Sequence, residues 1–489
     1  MQQIISKRSF YILLLFIIGL DLISSYFCYL QTPLLGDLGN IVLPSPSYSH
    51  VLNDPLGFRA LLTGEKYVGP NRFFAHWLPY TYFNTVPFFF QRFTNPVDSL
   101  YISAAILKLF TQLGITALLS HWIVGKTSLL NSRYLLIFTL LSALFLASPR
   151  GYFFPMRVVD HSIIYTFAYP FSFFFVLLYL HPFVGMYQGM RSTVLRWWEH
   201  IVLFLLSFLV VFHGPINAPS AILISGLILL VLWWKQFQAS NLDYSIKRFF
   251  SAIQAIPFAF LFHFIGLILL GLYSFYLGLF NAENPTTIPS LGERYVYLGQ
   301  GVLKVLFQIK ATPLPLIALT AIFYFSIAKN SPSKEAQKLL KSIQYIALFS
   351  LIYTLLLPLG GHRSYRSLIF RFDTMLPITC GLFVLFGATT NLLVQTLTGK
   401  RKQQLQLFLS MLALVIVLID MNSLYPARYD CERSTFFQLS KATEEPVLIP
   451  DCTIMSWETI SASPTPSNQA KLLHRWNITQ RPLLYYHKK

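Results

Sequence analysis

The chain has 489 residues, of which 55% are hydrophobic and 11% charged, and its formal net charge is +18. A soluble domain carries about 25% charged residues, so this composition excludes an ordinary water-soluble protein and indicates a polytopic helical membrane protein. The apolar runs are continuous rather than alternating, which excludes a β-barrel. Outside them stands no basic helix, zinc spacing or RNA-binding aromatic signature, which argues against a nucleic-acid partner.

The chain opens MQQIISKRSF, with Lys7 and Arg8 ahead of an apolar run that continues to Leu30. No small-residue cleavage site follows, so the run reads as an uncleaved first span with its N-terminus inside. Ten more spans are expected, giving about eleven at roughly 10–30, 99–124, 134–149, 162–181, 199–213, 218–234, 252–280, 312–328, 343–359, 374–396 and 405–424. The third and fifth are short. The connectors KTSLLNSR, the stretch around Arg191 and Arg196, KQFQASNLDYSIKR, KNSPSKEAQKLLK and TGKRKQQ are all basic. Lys and Arg collect in cytoplasmic loops, so loop 31–98 and the tail 425–489 are expected outside. The expected fold is an all-α transmembrane bundle over 1–424 with a small extracytoplasmic tail over 425–489.

Loop 31–98 is far longer than most other connectors and contains Asp37, Asp54, Glu65 and Asp98, in a chain with 19 acidic residues. Long structured loops usually carry function, and this one is expected to contain short surface helices. Asp37 follows the first span in LLGDLGN. There it reads either as a general base near the bilayer surface or as an Asp in a Gly turn. Asp54 sits in the turn sequence SHVLNDPLGF, with His50 one helical turn before it, a spacing that suits a His–Asp pair. In EKYVGPNRFFAHW, Glu65 precedes a Gly-Pro-Asn turn and Arg72 and His76 stand four apart. They suit phosphate binding or stapling of the loop.

Later segments add further residues. PRGYFFPMRVVD is followed by His161, and FHGPINAP is a turn rich in Pro and Gly. In loop 281–313, LGERYVYLGQGVLKVLFQIK has the spacing of an amphipathic surface helix with Lys304 and Lys310. The segment PLGGHRSYRSLIFRFD places His362, Arg363, Arg366 and Arg371 on the outer side, where topology does not require cations. They read as a lipid-phosphate site, or as anchors pairing with Asp373. Within the spans, Asp21 and Lys108 lie at similar depth and are expected to pair. Cys28 and Cys380 read as packing residues. Cys431 and Cys452 read as a disulfide of an oxidising compartment or as two free thiols. Asn477-Ile-Thr is a sequon. No spacing suggests a metal or nucleotide cofactor.

Gly36-Asp37 in a long first loop, the 281–313 loop, and HRSYRSLIFRFDTMLPITCGLFVLF leading into a late span together resemble the GT-C superfamily of polytopic glycosyltransferases. The resemblance covers the layout of the first ten spans. It implies transfer of a sugar from a polyprenyl-phosphate donor to a glycan, lipid or protein acceptor on the outer membrane face. It implies Asp37 or Asp54 as base, Arg363, Arg366 and Arg371 on the lipid phosphate, and Arg72 and His76 on the sugar. No DxD motif follows the first span, so no motif supports a divalent metal and metal dependence stays open. A lipid-linked glycan polymerase or ligase, and a flippase or transporter, are the other classes in view. The outer cysteines suit a bacterial inner membrane.

Overall fold

The computed structural model describes residues 6–488 apart from 126–130, 146–157, 160–161, 241–245, 286, 308–312, 331–332, 361–367, 423–429, 458, 461–462 and 464. Among the described residues, eight helices are long and apolar enough to cross a membrane: α1 (Lys7–Leu30), α2 (Pro96–Val124), α4 (Ile163–Tyr187), α6 (Asn217–Ala239), α7 (Phe258–Gly278), α9 (Lys334–Leu359), α10 (Phe372–Thr396) and α11 (Gly399–Met421). The described residues also form three shorter apolar helices, α3 (Ser132–Ala143), α5 (Trp197–Val211) and α8 (Leu314–Lys329). The expected span at 252–280 is divided. Pro257, which has no N–H to donate, separates a short amphipathic helix, Ile246–Gln254, from α7.

Helix ends follow local chemistry. The Asn95 side chain accepts from the Asp98 N–H at 2.9 Å, and Pro96 occupies the first helical position of α2. With 29 residues, α2 is about 44 Å long, well beyond a hydrocarbon core of roughly 30 Å. Its first turns therefore project from the bundle and carry Asp98 and Tyr101 to other partners. Apolar side chains such as Phe16, Phe204, Leu269 and Phe325 lie exposed along the helices. Lipid is the solvent that tolerates such faces.

Asp21 and Lys108 do not pair. Asp21 accepts from Ser142 on α3 at 2.5 Å and from Gln112 on α2 at 3.4 Å. Gln112 also donates to Ser25 and accepts from Tyr29, which closes a buried polar knot between α1, α2 and α3. Lys108 instead donates to Thr32 at 2.7 Å. Its long stem reaches beyond the end of α1 rather than down to Asp21.

The tail packs against the first loop. It contains helices Asp430–Lys441 and Asn468–Arg475 and, beside them, a short parallel pair, β1 (Val447–Ile449) with β2 (Tyr485–His487). Its apolar residues share one core with loop 31–98: Trp476 and Leu473 pack with Leu34, Leu38 and Phe83. The Trp476 indole donates to the Phe83 carbonyl at 2.9 Å, and Arg433 pairs with Asp98. Cys431 and Cys452 are bonded, with Cα atoms 6.3 Å apart.

Candidate functional site

Contacts gather the first loop, the start of α4, the α5–α6 turn, the end of α9 and the start of α10 at one end of the bundle. The first loop folds into short helices, including Leu38–Val42, Pro46–Leu52, Phe58–Thr63 and Phe73–Phe83. Asp37 is half-buried at the head of Leu38–Val42 and makes no capping bond there. Gly36 before it has φ +108°, which glycine tolerates. A Cβ on Gly36 would lie 3.0 Å from Ser162 Oγ and 3.6 Å from Trp457 Cζ2. Ser162 caps α4 and donates to the Leu35 carbonyl at 2.7 Å. The backbone just before Asp37 is thus held between α4 and the tail.

Asp54 has a different setting. Its Oδ2 accepts from Tyr67 at 2.6 Å and from the Arg59 and Ala60 N–H groups at 2.9 and 3.4 Å. It ties the start of helix Phe58–Thr63 to Tyr67, which in turn bridges to Asn281 beyond α7. Burial, reinforced by the hydrogen bond to Asp54, pushes the Tyr67 phenol well above its usual range. His50 does not meet Asp54. Its Nδ1 stands 2.8 Å from Glu65, which Arg59 also engages at 2.5 Å. This trio is part-exposed on the flank of the loop.

Arg72 heads helix Phe73–Phe83, one turn before His76. His76 is buried, and its Nδ1 makes no hydrogen bond. Burial, helped by the Arg72 charge, pulls its pKa down to about 3, so at neutral pH it is an uncharged imidazole. It packs against Tyr48 rather than offering a cation.

Within α4, Phe167–Phe171 winds as a π-helix containing Pro170. Such turns frequently occur at functional sites. The α5–α6 turn locks onto it. A Cβ on Gly214 would fall 2.2 Å from the Ala168 carbonyl, and Asn217 donates to the Ser172 carbonyl while accepting from its hydroxyl. His213 lies buried against Phe171 and Phe175, and burial lowers its pKa to about 3. The π-helix presents Tyr169 to Arg371, which hydrogen-bonds it, and Arg72 is near enough to act on the phenol electrostatically. Arg371 also pairs with Asp373 at 2.7 Å and donates to the Leu368 carbonyl. Tyr165, one turn before Tyr169, faces Trp457 of the tail.

Contacts therefore link the Gly36–Asp37 turn to the head of α4 and to Trp457, and link Tyr169 of the same helix to Arg371 and Arg72, while Asp54, His50 and Glu65 belong to a separate clamp. His362, Arg363 and Arg366 lie outside the described residues, as do Asp160, His161 and Lys310. Tyr165, Tyr169 and Trp457 carried no sequence signal beyond Pro170 in the apolar run FAYPF. Among the described residues, no group of three or more His, Cys, Asp or Glu is placed to hold a metal ion. No protein-family model matches the chain, and no solved structure matches it.

Proposed function

We propose that this protein is a membrane glycosyltransferase that moves a sugar from a polyprenyl-phosphate donor to an acceptor on the outer membrane face. The observation that carries the reading is a chain of contacts: Gly36, directly before Asp37, packs on Ser162 at the head of α4, and Tyr169 further along α4 meets Arg371 and feels the charge of Arg72. A carboxylate at that position serves as the base that activates an acceptor hydroxyl. Arginines beside it stabilise the charge that develops as the lipid phosphate leaves. Eleven spans, an inside N-terminus and a bacterial inner membrane complete the proposal, with Arg363 and Arg366 joining Arg371 at the phosphate.

Mass spectrometry of surface and lipid-linked glycans tests it, using cells that lack the protein and are complemented with wild type, Asp37→Asn or Arg371→Ala. A sugar-sized mass that disappears, returns with wild type and fails to return with Asp37→Asn supports the reading. An unchanged glycan profile removes it. A flippase or transporter is the second reading, favoured by the buried Asp21–Gln112–Ser142 knot and the π-helix break in α4. It requires a substrate whose passage across vesicles stops in Asp21→Asn.

A further inference from the structure

Trp457 is 40% exposed although it belongs to a tail whose other tryptophan, Trp476, is fully buried. Its ring lies 5.8 Å from that of Tyr165 at an interplanar angle of 30°, and its Cζ2 is the tail atom nearest the Cβ position of Gly36, directly before Asp37. The segment that presents it is fixed at two points just before the indole. Cys452 is bonded to Cys431, and the Met455 N–H donates to Glu432 Oε1 at 2.9 Å. The other oxygen of Glu432 accepts from the Leu34 N–H at 2.6 Å. One buried carboxylate thereby sets the spacing between the Asp37 loop and the Trp457 segment. Met455 holds φ +49°, a strained conformation for a residue with a side chain, and the chain maintains it two residues before the indole.

A half-exposed indole on a preorganised segment is suited to a flat partner with an apolar face and a polar rim. A sugar ring has that character: its axial C–H groups form an apolar face, and its hydroxyls project around the edge. Stacking that face on an aromatic ring gains dispersion and removes apolar surface from water.

Building on the glycosyltransferase reading, we infer that Trp457 and Tyr165 form the stacking surface for the sugar ring of the substrate, beside Asp37. The tail is then part of the site, and Trp457 is a positioning residue rather than a catalytic one.

The test uses the full-length protein in nanodiscs and a short-chain polyprenyl phosphate, bare or carrying glucose, galactose, mannose or N-acetylglucosamine. The readout is the ratio of affinities for the sugar-bearing and bare lipids within each variant, so a general loss of folding cancels. Wild type is expected to prefer at least one sugar-bearing lipid. Trp457→Leu, which keeps apolar bulk without an aromatic face, is expected to lower that ratio roughly fivefold, the size of one stacked aromatic pair. Trp457→Phe is expected to retain most of the preference. Arg371→Ala is expected to weaken both lipids and leave the ratio unchanged. An unchanged ratio in Trp457→Leu overturns the stacking surface, as does a wild type with no preference for any sugar. If no lipid binds, bare or loaded, the polyprenyl-phosphate reading falls and the stacking surface falls with it.

Discussion

The carboxylate of Glu432 accepts the backbone N–H of Leu34 across 398 residues of sequence. Tyr101 donates to the same oxygen at 3.1 Å, so the first loop, α2 and the tail meet at one buried acid. Burial pushes the Glu432 pKa from 4.5 to about 7, against the opposing pull of these donors. A raised folded-state pKa means that the folded protein holds the proton more tightly than the unfolded chain. Stability is therefore fully present below the unfolded value and falls as pH rises through the folded one. Between pH 4.5 and about 7 the loss is on the order of 3 kcal/mol. Thermal unfolding across that window is expected to show a falling midpoint in wild type and a flatter profile in Glu432→Gln.

Asp37 and Asp54 are expected to separate by phenotype. Asp54→Asn weakens the clamp to Tyr67 and lowers the melting temperature. Tyr67→Phe produces the same change because it breaks the same bond, with a loss of about 1–3 kcal/mol for each. Asp37→Asn leaves the melting temperature near wild type and removes glycan transfer. Equal melting losses in Asp37→Asn and Asp54→Asn would show that both carboxylates hold the loop together.

The polar knot in the bundle predicts where coupling lies. A double-mutant cycle between Asp21→Asn and Ser142→Ala is expected to give about 1 kcal/mol of interaction energy, the scale of hydrogen bonds between membrane helices. A cycle between Asp21→Asn and Lys108→Met is expected to be additive within about 0.5 kcal/mol. Unfolding in mixed micelles measures both.

Gly214→Ala is expected to destabilise by about 1–3 kcal/mol, because the added methyl meets the backbone carbonyl of Ala168 and nothing flexible can yield. Gly226→Ala, where nothing lies within 4 Å, is the matched control and is expected to be neutral or slightly stabilising. Similar melting temperatures for the two variants would show that the α5–α6 turn does not need its close approach to the π-helix.

The long helices were legible because span length and hydropathy are local properties. Lys7–Leu30 and Phe372–Thr396 fall within a few residues of their expected ranges. The docking of the tail was not legible. Trp476 and Phe83 are 393 residues apart, and nothing around either names the other. Counting depth along helices set Asp21 level with Lys108, but a lysine stem spans more than a helical turn and carried the ammonium to Thr32. His50 stood at helical spacing from Asp54, yet the helix ends at Leu52 and the next turn carries Asp54 towards Tyr67 instead. Pro170 announced a break in α4 without specifying a π-helix.

The shared core of loop and tail also has a consequence for biogenesis. Leu34, Leu38 and Phe83 are synthesised long before Leu473 and Trp476, which cover them. Until the ribosome has delivered that last stretch, the early loop must wait with its apolar side uncovered. Assembly of this end of the molecule therefore waits on synthesis of the tail, and any factor that shields the loop in the meantime acts on a partly made chain.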